Sequence, residues 1–111
     1  MNQVERIREI VAVYSRHGWR LERLLLRPET SAELAGAGDE LAEGASVREA
    51  AADALWFSRA SHAGRAAWEL RLVAETPYAL FESFEPDEAE EDREEVRREM
   101  EARLNDYAAR A

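Results

Sequence analysis

The sequence predicts an α+β fold: a four-stranded, mainly antiparallel sheet packed by N- and C-terminal helices, in the chain order α-β-short α-β-β-β-α. Three observations predict it. Apolar residues recur at three- and four-residue spacing near both ends of the chain, the period of one helix face. Between them, apolar and polar residues alternate in short runs, the period of a strand. Two turn-forming segments, SHAG (61–64) and AETP (74–77), separate three such runs, which is the pattern of a meander.

The first helix spans about Gln3 to His17. Asn2 and Glu5 form an N-x-x-E capping pair. Val4, Ile7, Val11 and Tyr14 make one stripe, which Ile10 and Val13 widen. Gly18 suits the position after the last turn, and Arg16 and His17 suit the negative end of the helix dipole. WRLERLLL (19–26) reads as a strand. Its alternation breaks at Leu24-Leu25-Leu26, which predicts a bulge or burial on both sides. Residues 28–46 hold three of the five glycines and read as a flexible connection with one or two helical turns, capped at Thr30 and Asp39. A short helix over about Val47 to Asp53 follows. The meander comprises Leu55–Ala60, Ala66–Val73 and Tyr78–Phe84. An acidic helix at about 87–109 ends the chain, with Pro86 before it and a narrow stripe of Val96, Met100, Leu104 and Tyr107. The whole of 1–111 reads as a single small globular domain, long enough to bury roughly two-thirds of its unfolded surface.

If SHAG is a four-residue loop, Phe57 faces Trp68 and Leu55 faces Leu70. If AETP is equally tight, Val73 faces Tyr78 and Leu70 faces Phe81. One face then gathers Leu55, Phe57, Trp68, Leu70, Leu72 and Phe81. The other carries Trp56, Ser58, Glu69, Arg71, Val73, Tyr78, Leu80 and Glu82.

Composition narrows the function classes. Apolar residues make up 46% and charged residues 35%, the balance of a globular chain. There is no cysteine, which excludes disulfides, thiol catalysis and cysteine zinc sites, and fits a cytoplasmic location. All fifteen basic residues are arginine, so neither a Schiff-base lysine nor a Walker-type phosphate lysine exists. GC-rich, bacterial-like coding explains the arginine and alanine excess more simply than thermal adaptation does. MNQVERIREIV lacks the apolar run of a secretory signal, and no stretch approaches the roughly 20 apolar residues of a membrane span. The net charge of −9 is concentrated in residues 82–101, where eleven acids face three arginines. No basic footprint for nucleic acid is visible.

On the second face, the expected register sets Trp56 opposite Glu69 and diagonal to Arg71, within cation–π reach. It also sets Glu69 opposite Glu82. Paired carboxylates support acid–base chemistry or hold a hard cation, and arginine beside an aromatic holds a small anion. Trp56, Glu69, Arg71, Tyr78 and Glu82 are therefore the candidate ligand-binding residues. Trp56, Val73, Tyr78 and Leu80 are the candidate interface residues, being apolar on a face that one helix stripe leaves partly bare. His62, between Arg59 and Arg65 at a hairpin tip, has no partner at fixed geometry, and His17 is a helix-terminal residue. The two histidines show no metal-ligand spacing, and Ser58 and Ser61 have no His/Asp arrangement.

The leading reading is a non-enzymatic protein acting through protein contacts, chiefly self-association, without catalytic residues, metal or cofactor, and without nucleic-acid or membrane partners. The second is a small-molecule-binding or enzymatic domain built on the carboxylate, arginine and aromatic surface. The third is an acidic regulatory module that docks a basic protein through residues 87–101.

Overall fold

A computed structural model of the chain describes residues 2–37, 41 and 44–111. It is an α+β domain whose sheet has five strands, not four, and is mixed rather than purely antiparallel. The elements are α1 (Gln3–Arg16), β1 (Arg20–Leu26), α2 (Pro28–Gly36), β2 (Ser46–Glu49), β3 (Ala54–Ala60), β4 (Ala66–Leu72), β5 (Ala79–Phe84) and α3 (Glu90–Arg110). The strand order is β2-β1-β3-β4-β5, with β2 parallel to β1 and every other pair antiparallel. Helices α1 and α2 cover one face and α3 the other. Among the described residues, no helix is long and apolar enough to cross a membrane.

Helix α1 follows its sequence signals. The Asn2 side chain accepts from the Glu5 backbone N–H at 2.8 Å, and Gly18 takes φ +82° after the last turn. Val4, Ile7, Ile10 and Tyr14 are its buried face. Strand β1 meets the break at Leu24-Leu25-Leu26 by burial on both sides, and its bulge lies earlier in the strand. A bulge lies between Leu21 and Arg23, Leu24 and Leu26 enter the α1-side core, and Leu25 enters the α3-side core.

Two expectations for the segment after β1 are corrected. Thr30 does not cap a helix: it lies inside α2, 1% exposed, and donates to Asp53 at 2.6 Å. The Asp39 cap lies outside the described residues. No helix forms over Val47 to Asp53; Ser46–Glu49 is instead a parallel edge strand. Parallel neighbours need a crossover connection, and α2 serves as that crossover between β1 and β2. All four β2 residues are exposed, so the strand leaves no alternating apolar pattern to read.

The hairpin registers are also corrected, by one residue each. Ala63 and Gly64 both take positive φ at the centre of the turn His62–Arg65, and Ser61 N–H donates to Arg65 O at 2.8 Å. The loop is thus one residue longer, and Ala60 pairs with Ala66. At the other end, Val73 leaves the ladder and donates to Asp53 O at 2.9 Å, so Leu70 pairs with Leu80 instead of Phe81. A one-residue slip reverses a strand's faces. Two slips cancel for β5, and only β4 is inverted. Trp68, Leu70 and Leu72 turn to α3, while Glu69 and Arg71 turn to the α1 side with Leu55, Phe57 and Phe81.

The expected α3 stripe is present: Met100 and Leu104 are buried, with Val96 and Tyr107 beside them. Arg97 joins them, 1% exposed, its guanidinium 3.9 Å from the Trp68 ring centroid. Glu90 and Glu94 accept from it at 2.8 and 2.9 Å. Arg97 holds the Glu90 carboxyl below its usual range. Burial opposes the same effect at Glu94, but Arg97 and Arg23 prevail and lower it too. Folded-state values that are depressed stabilise the fold at neutral pH, and that contribution fades as pH falls through them.

At the opposite end of the sheet, Asp53 is 3% exposed and gathers three segments. It accepts from Arg27 N–H at 2.7 Å, the Thr30 hydroxyl at 2.6 Å and the Gln3 amide at 2.8 Å, and it pairs with the Arg27 guanidinium at 3.3 Å. Replacing Asp53 by Ala strands these donors. The unfolding free energy in urea should fall by about 3 kcal/mol, against about 1 for Thr30→Val. A loss below about 1 kcal/mol for Asp53→Ala would mean that packing alone holds the junction.

Candidate functional site

The inversion of β4 divides the residues that the sequence places together. Glu69 and Arg71 remain neighbours on the α1 side, where Glu69 pairs with Phe81. Trp56, Tyr78 and Glu82 lie on the α3 side. Trp56 is 0% exposed, and its indole N–H donates to Glu101 at 2.8 Å, which Arg48 also binds at 2.7 Å. The expected contact of Trp56 with Glu69 and Arg71 therefore does not form. Glu82 pairs with Trp68, so it does not oppose Glu69 and no carboxylate dyad exists there.

Of the four residues expected on a half-bare face, Trp56, Tyr78 and Leu80 do share one face, but it is the one that α3 covers, and Val73 lies on the other. Val73 is buried in the α1-side core and Trp56 in the α3-side core. Tyr78 stacks on Tyr107 at 3.7 Å between ring centroids, and Leu80 packs against the same cluster. Helix α3 covers what the sequence leaves half bare. The arginines flanking His62 point elsewhere: Arg65 pairs with Glu85 at 2.7 Å, and Arg59 lies 4.4 Å above the Trp19 ring. His17 places Nδ1 2.8 Å from Val13 O.

Glu69 and Arg71 instead meet the last turn of α1. The Tyr14 hydroxyl donates to Glu69, and its ring stacks on Phe57 at 4.0 Å. Trp19 meets Tyr14 edge-on at 6.0 Å. With Val13 and His17 these groups line a cleft of about 300 Å³. Burial, reinforced by the Glu69 acceptor and opposed by Arg71, pushes the Tyr14 hydroxyl from 10.0 up to about 12. The phenol therefore stays protonated and acts as a donor at neutral pH.

Beyond the cleft, α1 no longer covers the sheet. Phe81, on edge strand β5, is 59% exposed, and Val13 is 44% exposed. Among the described residues, no group of three His, Asp or Glu side chains is placed to hold a metal ion.

Tyr14, Trp19 and Phe81 are the residues that sequence reasoning missed here. Tyr14 carried a usable signal, because a phenol ending an aliphatic stripe needs a hydrogen-bond partner once buried. Nothing local identifies that partner as Glu69, 55 residues away. No family model, no curated protein and no solved structure matches the chain.

In a tyrosinate absorbance titration, one tyrosine should ionise near pH 12, and this transition should vanish in Tyr14→Phe. The raised value stabilises the fold below pH 10, and that contribution is lost as pH rises toward 12. A Tyr14 transition near 10 would contradict the burial described here.

Proposed function

We propose that this protein is a small non-enzymatic contact module that self-associates through the uncovered α1-side face of β4 and β5. The observation that carries the reading is Phe81, a large apolar side chain 59% exposed on an edge strand. Three features favour a second copy as the occupant. Glu69 and Arg71 are adjacent on one face of β4, so a twofold-related copy can set opposite charges against each. Val13 extends the apolar patch across the cleft. The acidic helix α3 lies on the opposite face, so chains joined here keep their acidic helices apart, an advantage at a net charge of −9.

The Tyr14–Glu69–Arg71 cleft supports a second reading, a small polar ligand held beside Phe81. Docking of a basic protein on α3 draws less support, since Glu90, Glu94 and Glu101 are already paired with arginines of the chain.

Sedimentation equilibrium separates the readings. The wild type should dimerise with a Kd on the order of 10 µM. Phe81→Ser should weaken the dimer at least about tenfold, because burying a phenyl ring contributes about 1.5–3 kcal/mol and each dimer buries two. A wild type that stays monomeric at several hundred micromolar overturns self-association.

A further inference from the structure

Strand β5 is an outer strand of the sheet, and among the described residues no strand lies beyond it. Its ladder with β4 fixes which backbone groups face outward. Leu72 N–H donates to the Tyr78 carbonyl at 2.9 Å, and in the same register Leu70 pairs with Leu80 and Trp68 with Glu82. The N–H and C=O of one strand residue point to the same side, and successive residues alternate. Tyr78, Leu80 and Glu82 therefore spend their backbone groups on β4, while those of Ala79, Phe81 and Ser83 point away from it.

This outward edge is closed at one end only. The Glu82 carboxylate accepts from the Ser83 N–H at 2.9 Å. Among the described residues, nothing bonds the outward N–H and C=O of Ala79 and Phe81. Strand β5 holds no proline, lysine or arginine to blunt an exposed edge, and its one charge, Glu82, is the group that closes the Ser83 end.

We propose that two copies of this chain join along β5, antiparallel about a twofold axis at Leu80, so that their two sheets become one. The inference rests on self-association and specifies its geometry. An axis at Leu80 sets Ala79 of each copy opposite the partner's Phe81. Four N–H···O=C bonds then cross the joint and use every open group of both residues, and the bond from Ser83 to Glu82 stays intact. Beyond them Ser83 meets the partner's Pro77, which has no N–H to offer, so the ladder stops there. An axis one residue further on, at Phe81, opposes Ser83 to the partner's Ala79 and forces Glu82 to release the Ser83 N–H.

The side chains favour the same register. On the α1 side each Phe81 stands opposite the partner's Ala79, large against small. Within one copy Glu69 pairs with Phe81 and Arg71 with Ala79. Each row across the joint therefore runs Glu69, Phe81, the partner's Ala79 and the partner's Arg71, with opposite charges at its two ends. The partner's Arg71 starts two strand spacings, about 10 Å, from Phe81 with only alanine between, so its long side chain can reach the ring. On the α3 side Leu80 opposes the partner's Leu80, and Glu82 the partner's Tyr78, so no like charges are paired. An axis at Phe81 ends the corresponding row in Glu69 on both sides.

Ala79→Pro tests the backbone bonds. The Ala79 N–H takes no part in the ladder with β4, and proline is tolerated where a strand N–H faces outward. The substitution removes one donor from each copy. It should raise the dimer Kd in sedimentation equilibrium at least about tenfold while the circular dichroism spectrum stays that of the wild type. Amide exchange reads the same bonds without a substitution: the Ala79 and Phe81 amides should exchange at least about tenfold more slowly in concentrated than in dilute wild-type protein. A wild type that stays monomeric at several hundred micromolar overturns self-association and this geometry with it. A wild-type dimer whose Ala79 and Phe81 amides exchange as fast as in the monomer overturns the edge joint alone, as does a folded Ala79→Pro variant that associates as tightly as the wild type.

Discussion

The architecture turns on one buried carboxylate. Asp53 sits at the entry to β3, the central strand, where a charge removed from water is unfavourable unless it is fully bonded. Its bonds come from parts of the chain that the sheet alone does not connect. Gln3 belongs to the first turn of α1, Arg27 and Thr30 to the junction of β1 with α2, and its backbone carbonyl takes Val73 as the chain leaves β4. The carboxylate therefore ties α1 and the start of the crossover helix to the sheet, and the backbone carbonyl at the same position takes Val73 where β4 ends. The last of these matters most, because Val73 leaving the ladder helps set the register of β5.

Much of this fold is legible in the sequence. The stripe of α1, its Asn2 cap and Gly18, the three meander strands and the stripe of α3 all follow from local periodicity and capping chemistry. Strand β2 is not legible, since four exposed residues with one valine carry no pattern, and its pairing depends on the crossover. Register is not legible either. Alternation reveals that Trp68, Leu70 and Leu72 travel together, but with helices on both faces it does not reveal which helix they meet. One extra turn residue, permitted by positive φ at Ala63 and Gly64, decided the matter.

The same limit applies to the candidate site. Glu69 and Arg71 are neighbours on any register, so their association could be read directly. Their partners could not, because Tyr14, Trp19 and Phe81 come from elements whose placement depends on tertiary packing. The tryptophans show the reverse error. Trp56 and Trp68 share one face, 5.8 Å apart, and both serve the interface with α3. The segment from Trp56 to Arg71 carries aromatic and charged side chains together because its two strands are buried on both faces, with the polar groups needed to satisfy that burial.

Arg97 gives the arginine-only composition a further meaning. A flat guanidinium can lie against Trp68 and still reach two carboxylates at its edge, as it does here. An ammonium is compact, strongly hydrated and unable to stack, so lysine has no equivalent pose in that slot. Coding bias can account for how arginine came to be used throughout the chain, but at this position the choice is now entrenched. A lineage drifting back toward lysine codons could change the solvent-facing arginines one by one, whereas position 97 would have to be rebuilt together with Trp68, Glu90 and Glu94. At position 97 the geometry of the packed slot, and not the composition of the chain, requires arginine.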